Sequence, residues 1–292
     1  MTTDTEMITA RDISVLECLA SYFLMNRRQI QALCYPKDHD GRITRRRLSA
    51  MCRDKYVKKL TMQVVNPRDG SLAPVYQLAS RGRTFVAEHL KELRVMLKPL
   101  EVPQPQHLFH YLSVTDTHIL LDQAIQVCDD VRLDGWFNED EIVNYDEPDR
   151  SKQFKLETLV AESPRRTLCR PDAAFQLEYQ QHRGVFYLEQ DRDSYWHGQV
   201  AKRKTPGYVK LAEVNGHRKH FPETTIDRFT VLCVTPSNKR RDALREAFRG
   251  MEGKERWRFA NYADFVDEPA SFLRGPVWYP CDEGAEPVSL LK

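Results

Sequence analysis

Three prolines fall within seven residues, at Pro99, Pro103 and Pro105 of the run L-K-P-L-E-V-P-Q-P-Q. A helix cannot run through such a segment, because each proline lacks an amide donor and crowds the preceding turn. The break divides a chain of 292 residues, long for one domain and comfortable for two. The expected organisation is a first domain over 1–98, a linker and connecting helix over 99–134, and a second domain over 135–292.

Charge follows the same division. The formal net charge of +2 hides 18 basic against 10 acidic residues over 1–98, 9 against 19 over 99–195, and 17 against 13 over 196–292. A basic first third suits double-stranded DNA, since each neutralised phosphate releases counterions. The acidic middle repels DNA unless metal ions intervene.

Within the first domain, Thr9 or Asp12 can cap a helix whose apolar positions Ile13, Leu16, Leu19, Ala20 and Phe23 keep helical spacing. A second helix fits Asn26 to Leu33, and a third runs from about Ile43 to Lys55 after the turn-rich Y-P-K-D-H-D-G-R. Leu48, Met51 and Cys52 form the inward stripe of the third, with Ile43 and Lys55 at its ends. Arg45, Arg46, Ser49 and Arg53 point the other way, and Arg42 and Arg47 add to the same basic helix. An outward arginine face on the third helix is what a helix-turn-helix sets into the major groove. Two extended stretches, Leu60–Val65 and Pro74–Leu78, then read as a hairpin wing with Arg68 at its tip, either placed for a phosphate or minor-groove contact or simply solvated. Ser80 caps the helix that follows. The whole predicts a winged helix-turn-helix.

Past the proline break a helix is expected from Gln106 to Asp129, carrying His110 and His118 as packing or surface residues. Strand and helix patterns then alternate. W-F-N-E-D-E-I-V reads as a short strand or helix edge. C-R-P-D-A-A-F-Q-L-E-Y and G-V-F-Y-L-E-Q-D are two strands joined by Q-Q-H-R-G. Helices over Lys202–Glu213 and Asn238–Gly250 flank the buried strand F-T-V-L-C-V-T-P, and W-R-F-A closes the series. This order predicts an α/β domain of two or three layers around a mixed sheet, so the chain as a whole is α+β.

The hairpin of the second domain brings Asp172, at the entrance of one strand, to the same sheet end as Glu189 and Asp191 of the next. Glu139 and Glu141 upstream are further carboxylate sources. Oxygen ligands of this kind suit Mg²⁺ or Mn²⁺, which can activate water against a phosphodiester. The arrangement resembles the restriction-endonuclease-like fold defined by P-D followed by (D/E)-x-K. Here Asp191 stands where that lysine belongs. An inactive nuclease-like scaffold, kept for binding or assembly, is the simpler reading. In the other, Asp191 is an extra ligand and Lys202 or Lys204 swings in from the next helix. The basic stretch Lys202, Arg203, Lys204, Lys210, Arg218 and Lys219, with Trp196, His197 and Tyr208 nearby, either holds a DNA backbone across the acidic site or, in the simpler reading, is an exposed helix face. Asn238 to Arg241 open a helix where anions are favoured, and solvation is the simpler account of them too.

In order and spacing, T-A-R-D-I-S-V-L-E-C-L, R-R-R-L with Y-V-K-K, Y-Q-L-A-S-R-G, R-P-D-A-A-F, Y-L-E-Q-D-R-D-S, R-F-T-V-L-C-V-T and G-P-V-W-Y-P resemble the bacterial replication-relaxation family of plasmid and mobile-element proteins. The resemblance implies a winged helix joined to a nuclease-like α/β domain, with a role in plasmid replication or DNA relaxation. It also implies that the E-x-D form at Glu189 and Asp191 is a family trait.

Three functions compete. The first is a DNA-binding accessory protein whose second domain dimerises or recruits replication or mobilisation proteins. The second is a metal-dependent nuclease or nickase, and the third a transcriptional regulator with a sensing second domain. The seven cysteines are scattered without a C-x-x-C pair, which fits buried thiols in a reducing cytoplasm. No leader pattern and no apolar stretch of membrane-spanning length is present. Nor is there a P-loop, G-x-G-x-x-G, G-x-S-x-G or H-E-x-x-H motif.

Overall fold

A computed structural model describes residues 8–60, 73–92, 96, 104–144, 146–148, 150–161 and 167–291. Arg68, with the turn at Pro67 and Gly70, lies outside the described residues, as do Pro99 and Pro103. The chain separates into two units, Met1–Asp116 and Thr117–Lys292. No helix among the described residues is long and apolar enough to cross a membrane.

Local side chains start the helices of the first unit. Helix α1 (Ala10–Tyr22) opens on a reciprocal cap: the Asp12 amide donates to Thr9 Oγ1 and the Thr9 amide to Asp12 Oδ2 at 2.8 Å. Phe23 ends α1 at φ 67°, outside the helix yet buried. After strand β1 (Met25–Asn26), Asn26 and Gln29 cap α2 (Arg27–Cys34) in the same way. Helix α3 (Arg42–Arg53) follows Gly41, which sits at φ 67°. The Asp38 carboxylate accepts from the Ile43 and Thr44 amides at 3.2 and 2.7 Å, satisfying donors that a helix start leaves unpaired. Ile43, expected at the end of the inward stripe, is 42% exposed, and Thr44 takes the buried position.

Strands β2 (Val57–Leu60) and β3 (Val75–Leu78) pair antiparallel, and β1 joins the far side of β3, giving the order β1-β3-β2. The first hairpin strand therefore starts three residues earlier than its pattern suggested. Helix α4 (Ser80–His89) follows, with Ala79 rather than Ser80 at the cap position and no side-chain cap. Val15, Leu16 and Leu19 of α1, Ile30 of α2, Leu48 and Met51 of α3, and Val75 of β3 are buried in this unit. Gly82 of α4 lies so close to the connection between α3 and β2 that an added Cβ would come within 2.0 Å of the Tyr56 carbonyl oxygen. Beside it, Arg81 covers the Tyr56 ring at 4.3 Å and donates to the Asp54 carbonyl at 3.2 Å. Helix α5 (Pro105–Gln126) begins in this unit, where Leu108 and Leu112 pack with Phe23, Leu24, Leu60 and Val75. It ends in the second unit, so the division between units falls inside a helix.

The second unit is built on β4 (Val131–Asn138), β7 (Ala173–Tyr179), β8 (His182–Gln190), β9 (Phe229–Thr235) and β10 (Trp257–Asn261). Between β4 and β7 come α6 (Arg150–Gln153) and the small antiparallel pair β5 (Thr158–Ala161) and β6 (Thr167–Cys169). Helices α7 (His197–Glu213) and α8 (Gly216–His220) link β8 to β9, α9 (Asn238–Phe248) links β9 to β10, and α10 (Ser271–Arg274) lies beyond. The sheet order is β10-β9-β8-β7-β4, with β8 parallel to β9 and antiparallel to β7. This is the expected mixed sheet in an α+β chain. The β7–β8 turn is narrower than Q-Q-H-R-G suggested: Gln180 and Gln181 form it at φ 49° and 66°, and Gly184 pairs with Leu177 inside the ladder.

Alternation along β8 sorts its side chains onto two faces. Val185, Tyr187 and Glu189 face the layer formed by α7 and α9, where Tyr208, Leu211, Leu244, Phe248 and Trp257 are buried. Phe186, Leu188 and Gln190 face the opposite layer. There Phe186 stacks on Phe175, Phe175 on Trp136, and Trp136 on His118 of α5 at 3.9 Å, while Thr117 donates to Gln190 at 2.8 Å.

Arg47, read from sequence as part of the DNA face, is turned inward. Its guanidinium pairs with Asp12, whose side chain is fully buried and also accepts from the Tyr35 hydroxyl. Removing one partner of such a pair leaves the other charge buried alone, so Arg47→Ala is expected to cost about 3 kcal/mol. Urea unfolding checks this, and a midpoint equal to that of the unaltered chain would count against it.

A carboxylate–lysine site and an arginine face

The arginine face sits on α3, where Arg42, Arg45, Arg46, Ser49 and Arg53 are all exposed. Arg45 donates back to the Asp40 carbonyl at 3.0 Å, and Arg53 pairs with neighbouring Asp54 at 3.3 Å, so both stay on the surface.

In the second unit, Asp172 stands at the mouth of β7, with its amide donating to the Leu188 carbonyl at 3.1 Å. Its Oδ2 accepts from the Gln190 amide at 2.7 Å. This reciprocal pairing sets its carboxylate beside Glu189, the last residue of β8 on the α7 face. Lys204, two turns into α7, reaches both: Nζ lies 2.5 Å from Glu189 Oε2 and 3.8 Å from Asp172 Oδ1. One turn further on, Tyr208 donates its hydroxyl to Glu189 Oε1 at 2.6 Å. The i,i+4 spacing of Lys204 and Tyr208 delivers both groups from one helix face.

Glu189 is 6% exposed. Burial pushes its carboxyl above the ordinary range against the pull of Lys204 and Tyr208, and the Asp172 charge adds to the rise. Burial works against the Lys204 ammonium as well, but Glu189 and Asp172 outweigh it and hold its pKa above the usual lysine value. Burial also raises the Cys169 thiol to about 12 and the Cys233 thiol well above its ordinary value, so both are protonated and inert at neutral pH.

Asp191 is placed differently from its two companions. Arg240 of α9 grips it through two bonds, Nε to Oδ2 at 2.7 Å and Nη2 to Oδ1 at 2.8 Å, and also pairs with Asp193 at 2.9 Å. Arg240 and Arg241 are buried and engaged, which corrects their expected placement on a solvated face. Glu139 pairs with Arg170 at 3.4 Å and touches Asp172 through its amide, and Glu141 is buried just beyond β4. Among the described residues no three His, Cys, Asp or Glu side chains gather closely enough to hold one metal ion. The grouping is thus Asp172, Glu189, Lys204 and Tyr208. The bonds of Tyr208 to Glu189 and of Arg240 to Asp191 were not anticipated: no motif marks either, and Arg240 lies 49 residues from the carboxylate it holds.

The sign of the Glu189 shift gives a test. A carboxyl raised in the folded state favours folding below its unfolded value near 4.5 and loses that contribution as pH rises through its folded value. Lys204→Met removes the cation opposing that rise. The variant is expected to lose more stability between pH 5 and pH 8 than the unaltered chain does. Parallel unfolding profiles over that window would show the pair to be uncoupled.

No curated protein and no solved structure matches the chain. The sequence pattern of one family, replication-relaxation, matches residues 16–224. That span runs from within α1 to just past α8 and takes in the α3 arginines, Asp172, Glu189 and Lys204, while Arg240 lies beyond it. With well over half of its length inside the pattern, the chain belongs to the replication-relaxation family.

Proposed function

We propose that this protein acts in plasmid or mobile-element replication or relaxation by binding double-stranded DNA through its first unit. The observation that carries the reading is the exposed arginine face of α3, on the third helix of an α-β-α-α-β-β order that fits a winged helix. Arg42, Arg45, Arg46, Ser49 and Arg53 form the DNA face, and Arg68, outside the described residues, is kept from the sequence as a further phosphate contact. Arg47 serves the fold. The second unit then assembles the protein, as a homodimer or with replication or mobilisation proteins.

Replacing Arg45 and Arg46 together with Ala is expected to weaken duplex binding. It should also flatten the dependence of log K on log salt by about 1 to 2, near 0.9 for each phosphate left without its cation. Unchanged affinity and slope would remove α3 from the interface.

A second reading, strand cleavage by a nuclease-like second unit, is favoured by Lys204, which supplies from α7 the cation missing after Glu189. Asp172 and Glu189 are hard oxygen donors, and Mg²⁺ is commonly held by one or two carboxylates together with substrate phosphate. Those two residues would hold Mg²⁺ or Mn²⁺, which polarises a phosphodiester and acidifies bound water. Tyr208 fixes the orientation of Glu189, and Lys204 stands ready to neutralise a phosphate oxygen. Under this reading supercoiled plasmid is nicked with Mn²⁺ or Mg²⁺, and Asp172→Ala and Lys204→Met each abolish nicking. Intact supercoiled, linear and single-stranded DNA with either ion would leave the second unit an assembly domain.

A further inference from the structure

Between β8 and α7 the chain presents two consecutive aromatic side chains to solvent, Tyr195 at 56% and Trp196 at 64% exposure. The other three tryptophans, Trp136, Trp257 and Trp278, are buried. Large exposed aromatics on a surface need a reason, and a mobile loop does not supply it here. Arg240 donates to the Tyr195 carbonyl at 2.8 Å while gripping Asp191 and Asp193, so one buried guanidinium ties down three points of the segment. The Trp196 carbonyl accepts from the Gln199 and Val200 amides at 2.9 and 3.1 Å, which fixes its backbone as the first turn of α7. Its ring lies against Gly198, where an added Cβ would come within 2.2 Å of it.

Cations outnumber acids around this pair. Asp191 and Asp193, the acids of the segment, share the one Arg240 guanidinium, which turns Asp191 away from the rings. Lys202 and Arg203 are exposed on α7, and the Arg203 guanidinium lies 5.2 Å from the centre of the Tyr195 ring. Trp196 is the cap residue of α7, and Arg203 follows it by about two helical turns. Lys239, exposed at the start of α9, adds a further cation.

Anchored, solvent-facing rings flanked by uncompensated cations match the chemistry of an unpaired nucleic-acid strand, whose bases stack on aromatics and whose phosphates pair with Lys and Arg. We propose that Tyr195 and Trp196 form a stacking platform for the bases of single-stranded nucleic acid, with Lys202 and Arg203 holding its phosphates. The site is separate from the duplex-binding face of α3 and does not rest on cleavage at Asp172 and Glu189.

The test uses the full chain and a fluorescein-labelled twelve-residue oligo(dT), with oligo(rU) of equal length as the second probe. Binding is followed by anisotropy and by tryptophan emission, in which Trp196 is the solvent-exposed emitter. The expected results are quenching on addition of oligo(dT), loss of that quenching in Trp196→Phe with affinity largely kept, and at least about fivefold weaker binding in Trp196→Ala and in Tyr195→Ala. Gly198→Ala, which forces the ring from its seat, is expected to weaken binding as well. Tighter binding of oligo(rU) would assign the platform to RNA and still support stacking. Binding without quenching, equal affinity in both alanine variants, or no binding of either oligonucleotide would overturn the proposal. Arg45→Ala with Arg46→Ala should leave the quenching intact, which separates failure of the platform from failure of duplex recognition.

Discussion

The ammonium group of Lys204 makes it tolerable for Asp172 and Glu189 to meet at one end of a largely buried sheet. Left alone, two carboxylates in such surroundings drive one another toward protonation, and a single buried charge stripped of its partner costs about 3–5 kcal/mol. The cation arrives from α7, which must therefore cross that end of the sheet. The parallel step from β8 to β9 through α7 and α8 provides this crossing. β8 is the strand at which pairing changes from antiparallel to parallel, and the acidic cluster stands at its end. Open sheets commonly place their ligands where strand order or direction changes in this way.

Arg240 performs the complementary task on the α9 side. By taking both oxygens of Asp191 it withdraws that carboxylate from its neighbours and shapes the segment leading into α7. Glu189 and Asp191, two residues apart at one strand end, thus receive separate cations from separate helices. The first is left with a reachable ammonium beside a polarised carboxyl. The second becomes a rigid post for the chain that follows.

Much of this was legible in the residues, for identifiable physical reasons. The α3 helix announced itself by Leu48 and Met51 recurring opposite Arg45, Arg46 and Ser49, and a 3.6-residue period survives any tertiary setting. The buried run F-T-V-L-C-V-T marked β9, and Pro171-Asp172 marked the entrance of β7. Arg47 was misplaced because periodicity sees the direction of a side chain and is blind to a charge already buried beneath it, here Asp12, 35 residues away. Gly184 drew the hairpin turn toward itself, yet two glutamines adopted the left-handed conformation that a glycine would have taken more easily. Lys204 was legible only as one of two lysines, with Lys202, that could swing in from the next helix, because nothing local separates a lysine aimed at a carboxylate from one aimed at water.

Gly82 shows how far from an exposed face its control can lie. With no room for a side chain between α4 and the Tyr56 carbonyl, and with Arg81 clasping Tyr56 and Asp54, the turn that follows α3 is tied to the start of α4. The pitch at which α3 offers its arginines is then set from behind, by an atom that is missing. A side chain introduced at Gly82 would displace that face without touching it.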